Sequence, residues 1–201
     1  YRYRMLEAAK GNAAKNGYQG AQYPWESADD GTEQCPDWTI EPDGTCYRCY
    51  VAVYEHHVTA AVAYGIYNYV RITHDTEFLL HKGAEILIET ARFWKSRLQY
   101  IKENDRYEIH RVTGPDEWHE PVDNNVYTNY LARWNLRYVT ALTEMLSREY
   151  PQEYTALVEK LGLTEEEIAD WDAVAAKVYL PRKEGTQLLE PVSYTHLRAH
   201  E

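Results

Sequence analysis

Residues 114–120 read Gly-Pro-Asp-Glu-Trp-His-Glu. This short stretch holds carboxylates at Asp116, Glu117 and Glu120, an indole at Trp118 and an imidazole at His119. Gly and Pro punctuate regular structure, so the acids belong to a loop and not to the solvated face of a helix. Such a loop can aim a carboxyl group into a cleft. An aromatic wall beside it can strip water from one acid and raise its pKa, which is what a general acid at neutral pH requires. The same composition also describes a plain acidic surface turn, so the motif by itself leaves both readings open.

Two further groups could carry chemistry. Cys35, Cys46 and Cys49 are the only cysteines, with one C-x-x-C spacing. A zinc site would need a fourth ligand, such as His56 or His57, and structural sites usually pair two such clusters; reduced cytosolic thiols fit the pattern better. His119 with Glu120 lacks the second histidine at helical spacing that a zinc-protease motif needs. The aromatic balance is unusual, with 19 Tyr and 6 Trp against 2 Phe. Tyr and Trp present a flat apolar face with a polar handle, which suits packing on sugar rings as well as helix packing. The formal net charge of -11 argues against nucleic acid or an anionic membrane surface as the main partner. No run approaches the ~20 apolar residues of a membrane span.

The elements that must position these groups read as long helices joined by elaborate loops. Tyr1 to about Asn16 is an Ala-rich helix ended by Gly17. The stretch from Gly20 to about Arg48 is a loop, longer than a connector needs to be, as functional loops are. Val58, Ala61, Val62, Gly65, Ile66, Tyr69 and Val70 recur at helical spacing and predict a helix over about Tyr54–Thr73. Asp75 is placed to cap a second helix running to about Tyr100. Tyr107–Val112 alternates as a strand or hairpin arm and leads into the acidic loop. A third helix is expected over about Asn124–Tyr150, with Asn124, Asn125 and Asn129 more suited to capping and packing than to ligand binding. Thr164 and Glu167 form a capping box for a fourth helix that Pro181 closes. No βαβ pattern appears, so helix pairs must build a bundle, a solenoid or an α/α barrel. Residues 191–201 share no periodicity with what precedes them and look like translated adapter sequence, which leaves 1–190 as the folding unit.

Taken in order, these segments resemble the disaccharide phosphorylases of glycoside hydrolase family 65. The resemblance rests on Gly-Tyr-Gln-Gly-Ala-Gln-Tyr-Pro-Trp-Glu-Ser at 17–27, Gly-Thr-Glu-Gln-Cys at 31–35, His57 with its following helix, and Asp-Thr-Glu-Phe-Leu at 75–79. It continues through Glu-Thr-Ala-Arg-Phe-Trp at 89–94, the 114–120 loop, Asp-Asn-Asn-Val-Tyr-Thr-Asn-Tyr at 123–130 and Ala-Arg-Trp-Asn-Leu at 132–136. The family implies an all-α catalytic domain, an (α/α)6 barrel, of which this chain resembles roughly the first half, with long loops and a short β-hairpin. It further implies inverting phosphorolysis of an α-glucosyl disaccharide to β-glucose 1-phosphate, or inverting hydrolysis of the same bonds.

By that resemblance Glu117 is the general acid, with Asp116 and Glu120 as competing assignments. Trp25 and Glu26 are candidates to stack on and hydrogen-bond a glucose unit, unless Trp25 simply anchors its loop. Trp118 and His119 are candidates to shape the acid's pocket. The family implies no metal and no cofactor, inorganic phosphate as co-substrate, a cytoplasmic setting and a homodimeric intact protein. Its phosphate-binding residues lie in the other half of the barrel, so a half barrel alone is expected to be inactive and poorly soluble or molten. A non-catalytic sugar-binding or scaffold protein is the reading from another class. One departure concerns specificity. Maltose phosphorylases carry a Trp-Glu pair shortly before the His57 helix, whereas residues 45–57 here have none; Tyr50, Tyr54 or Glu55 are the substitutes on offer.

Overall fold

The computed structural model describes residues 1–117 and 121–189. Trp118, His119, Glu120 and the 191–201 tail lie outside the described residues. Eight α-helical segments and two antiparallel hairpins make up what is described: α1 (Leu6–Lys15), α2 (Val51–Tyr54), α3 (His57–Thr73), α4 (Thr76–Phe78), α5 (Ala84–Arg97), α6 (Val126–Glu149), α7 (Pro151–Leu161) and α8 (Glu165–Ala176). The hairpins pair β1 (Trp38–Ile40) with β2 (Cys46–Arg48), and β3 (Gln99–Ile101) with β4 (Arg106–Glu108). None of the described helices is long and apolar enough to cross a membrane.

The caps read from sequence are present. Asp75 Oδ1 accepts from the Phe78 N–H at 2.9 Å, Asn125 Oδ1 from the Thr128 N–H at 3.0 Å, and Thr164 Oγ1 from the Glu167 N–H at 3.1 Å. Each satisfies one of the orphan donors of a helix start, worth about 1 kcal/mol. Gly17 ends the first helix with φ of 81°. Between α4 and α5 the helix widens into a π-turn over Leu79–Gly83, where Gly83 packs closely against Phe78 and Ile66.

Several expected boundaries move. The Gly20–Arg48 loop contains the β1–β2 hairpin, whose strands are exposed on both faces and so carry no burial alternation to read. The second helix ends at Arg97 instead of Tyr100, because Tyr100 pairs with Tyr107 in the second hairpin. The fourth helix ends at Ala176, well before Pro181, since Tyr107 draws the chain after it into a parallel bridge with Val178, its N–H donating to the Lys177 carbonyl and its carbonyl accepting from the Tyr179 N–H. Helix α7, begun by Pro151 at its first turn, is an element the sequence reading passed over.

Packing follows a repeated pattern. His57 meets Tyr127, Tyr64 meets Trp134 and Tyr67 meets Tyr138, with ring centroids 5.8, 5.2 and 4.9 Å apart. Both members of these pairs advance together, so α3 and α6 run parallel. Arg92 pairs with Glu167 and Lys95 with Asp170, which makes α5 and α8 parallel as well. Arg97 meets His56 while Tyr69 meets Phe78, so α3 and α5 are antiparallel. Two helical hairpins, α3–α5 and α6–α8, therefore lie side by side. A single core unites them, with Trp94, Trp171, Leu87 and Leu136 fully buried.

Candidate active site

The parallel order of α3 and α6 brings the loops before their N-termini to the same end of the molecule. The first of these loops is fixed over 20–24. Gly20 has φ of 66°, and a Cβ there would lie 2.1 Å from the Glu89 carbonyl oxygen. The Ala21 N–H donates to that same carbonyl, the Gln22 N–H to the Ala9 carbonyl, and the Tyr23 N–H to Thr59 Oγ1. Pro24 then delivers Trp25 and Glu26 to the surface, where Trp25 is 36% exposed. The Glu33 carboxylate accepts from the backbone N–H groups of Trp25, Glu26, Gln34 and Cys35, at 2.7–3.1 Å. Trp25 is therefore not a buried anchor. It is a displayed ring whose backbone is held by a carboxylate the sequence reading did not single out.

The Trp25 ring lies 5.9 Å from the His57 ring, which in turn meets the Tyr127 ring edge-on. Behind His57, the wholly buried Glu55 carboxylate is 3.0 Å from Nδ1. Glu55 thus lies against an imidazole instead of facing solvent, while the Tyr54 hydroxyl accepts from an Arg111 guanidinium N–H at 2.6 Å and its ring stacks on Tyr50.

The acidic loop is clamped at its base. Val112 and Val122 exchange two backbone hydrogen bonds of 2.9 Å, the Arg111 N–H donates to Asp123 Oδ1, and the Thr113 N–H donates to the Tyr54 carbonyl. Gly114 touches Asn125, the α6 cap, so tightly that a Cβ would fall 2.3 Å from its side-chain nitrogen. Asp116 and Glu117 are exposed at the tip. The Gly114 loop thus meets the start of α6 at Asn125, and Tyr127 in the same first turn meets His57, which meets Trp25. Asn125 caps, as expected, while Asn124 and Asn129 are buried. Asn124 joins the Ile109 N–H to Glu108, and Asn129 reaches the Tyr179 carbonyl.

Two charged networks support the clamp. Burial opposes ionisation of Glu108, but hydrogen bonds from His110, Asn124 and Arg106 hold its pKa below the ordinary carboxylate value. Arg97, itself buried, donates through Nε to His56 Nδ1 at 3.0 Å and through a terminal nitrogen to the His110 carbonyl. Burial and the Arg97 charge push His56 down to about 3, so it is a neutral acceptor. One arginine thus ties the start of α3 to the start of the acidic loop, a role nothing in its sequence context signals.

Residues 1–199 match the family described as "Glycosyl hydrolase family 65 central catalytic domain". A kojibiose phosphorylase from Thermoanaerobacter brockii is 52% identical over 94% of this chain and 24% of its own length. A kojibiose hydrolase from Flavobacterium johnsoniae is 42% identical over 80% of this chain and 22% of its own length. A solved structure from the human microbiome, described as a candidate kojibiose phosphorylase, superposes with TM-score 0.80 at 26% identity over 96% of this chain and 26% of that one. The chain spans about a quarter of the length of these relatives.

Proposed function

Because the chain belongs to glycoside hydrolase family 65, through that family's central catalytic domain, we propose that it serves a disaccharide phosphorylase that transfers glucose from an α-glucosyl disaccharide to inorganic phosphate. The observation that carries this reading is the 52% identity to a kojibiose phosphorylase over nearly the whole chain. The same relative supports kojibiose, or another disaccharide of that linkage, as the first donor to test. Phosphate enters as co-substrate and no cofactor takes part.

In this reading Glu117 is the general acid. Its proton passes to the glycosidic oxygen as the bond to the leaving sugar breaks, and phosphate attacks the anomeric carbon from the opposite face, giving β-glucose 1-phosphate. The exposed tip and clamped base of its loop support that role, since a fixed base with a free carboxyl end can present a proton at a defined height above the sugar. Trp25 offers a ring face to the glucose unit and Glu26 a carboxylate to its hydroxyls, both carried on the backbone that Glu33 holds. Trp118 and His119, which follow Glu117 in the sequence, are proposed as the residues that shape the acid's pocket. The paired helical hairpins are proposed as part of an (α/α)6 barrel whose site lies at the α3 and α6 N-termini.

A second reading, hydrolysis of the same bond by water, draws on the 42% identical kojibiose hydrolase. The whole gene product is to be incubated with kojibiose with and without phosphate. Phosphate-dependent formation of β-glucose 1-phosphate supports phosphorolysis, whereas equal glucose release in both conditions moves the assignment to hydrolysis. Glu117→Gln is expected to lower turnover by roughly 10²–10⁴-fold, the usual contribution of a general acid. Full activity in that variant removes Glu117 from the mechanism and leaves Asp116 or Glu120 as the acid, whereas no turnover by the unmutated protein leaves a non-catalytic sugar-binding role.

A further inference from the structure

Cys35 and Cys49 stand on the two sides of the open end of the β1–β2 hairpin. The Cys49 N–H donates to the Asp37 carbonyl at 2.8 Å, which places Cys35 just beyond the last paired residues. The sulfurs are 4.0 Å apart, against about 2.05 Å in a disulfide, and both residues are half-buried. Cys46, the other half of the C-x-x-C spacing, is exposed and pairs with Ile40 within the hairpin. The hairpin above the thiols has no core of its own, with Trp38 58%, Ile40 69% and Tyr47 54% exposed, and an isolated two-stranded ribbon is marginal in water. Its base is also the end of the Glu33 cradle, because one Glu33 oxygen accepts from both the Cys35 and the Glu26 N–H groups.

We propose that Cys35 and Cys49 form a reversible disulfide by exchange with a low-molecular-weight disulfide, and that this bond fixes the hairpin and the Trp25–Glu26 backbone. In this exchange Cys49 attacks the small disulfide, and Cys35, whose thiol is pushed up to about 11 by burial and then by the neighbouring Cys49, resolves the mixed disulfide. That attack breaks the small disulfide's S–S bond, leaves the mixed disulfide on Cys49 and releases one small thiol. Cys35 sulfur then attacks Cys49 sulfur, expelling the second small thiolate, which takes the proton Cys35 gives up. In sum, two protein thiols and one small disulfide become one protein disulfide and two small thiols. Oxidation stabilises the reduced hairpin's geometry without replacing it, since the bond joins atoms already adjacent.

The test equilibrates the whole gene product against glutathione and glutathione disulfide over a range of ratios, blocks free thiols in acid and maps tryptic peptides. Cleavage at Arg48 separates the two cysteines, so the bond links peptide 16–48 to peptide 49–71. The link is expected in the native protein and in Cys46→Ser, and not in Cys35→Ser. In guanidinium the same ratios are expected to give at least ~10-fold less of it, because the native contact raises the effective concentration of one thiol at the other. Loss of the link in Cys46→Ser assigns the bond to Cys46 and overturns the proposal. So does an equal yield in guanidinium, or glutathione adducts with no link at any ratio. None of these readouts depends on sugar turnover, so the outcome is independent of the phosphorylase reading.

Discussion

His56 shows how one buried side chain sets a pH response. Its folded pKa is about 3 against an ordinary 6.5, so between those values the unfolded chain binds a proton that the folded one refuses. Stability therefore rises with pH across that window and is lost as pH falls below about 6.5, at up to ~1.4 kcal/mol per pH unit for one proton. Glu108 acts in the same direction but lower, its contribution being lost only as pH falls below the ordinary 4.5. His56→Gln keeps an acceptor for Arg97 and removes the titration. Urea melts at intervals from pH 6.5 to about 4.5 should show a shallower acid slope in that variant by close to one proton; parallel slopes would place the proton elsewhere. Glu33 bears on function instead. Glu33→Ala releases the Trp25 and Glu26 backbone, and steady-state kinetics of the whole protein should show KM for the disaccharide rising more than kcat falls.

The acidic loop depends on the element it leans against. Gly114 is required by close approach to the α6 cap and not by a left-handed φ, so Gly114→Ala must push Asn125 aside. A cost of about 1–3 kcal/mol follows from overpacking of this kind, with turnover falling further than stability alone explains because the loop's base has shifted. Thermal melts alongside single-turnover rates separate the two effects; an unchanged melting temperature would mean that the loop yields freely. Asp75→Ala, by contrast, removes a cap on the α3–α5 hairpin away from this end, and should cost about 1 kcal/mol with little effect on turnover per folded molecule.

At the scale of the whole molecule, the α3–α6 aromatic seam is a partly open apolar surface. Tyr64 is 44% exposed and Tyr130 52%, beside Trp134 and Tyr138, whose rings stack nearly parallel. In the proposed barrel further helices cover this face. The 201-residue chain produced alone should therefore bind an apolar dye, self-associate as concentration rises, and turn over no disaccharide. A monomer with no dye binding, by sedimentation and fluorescence, would count against that architecture. The sequence by itself determined the long helices other than α7, because the 3.6-residue spacing of Val58, Val62, Ile66 and Tyr69 and the capping oxygens of Asp75, Asn125 and Thr164 act within one or two turns. It also marked the 114–120 loop, whose Gly-Pro start and clustered acids are local signals, and its ordered motifs identified the family. The parallel pairing of α3 with α6, the Glu33 cradle, the Glu55–His57 contact, the Arg97 bridge and the Cys35–Cys49 approach were decided only by the tertiary structure. Each joins residues from separate elements or folds a loop back on itself, and no periodicity records which distant carbonyl or sulfur a side chain will meet once two helical hairpins pack side by side.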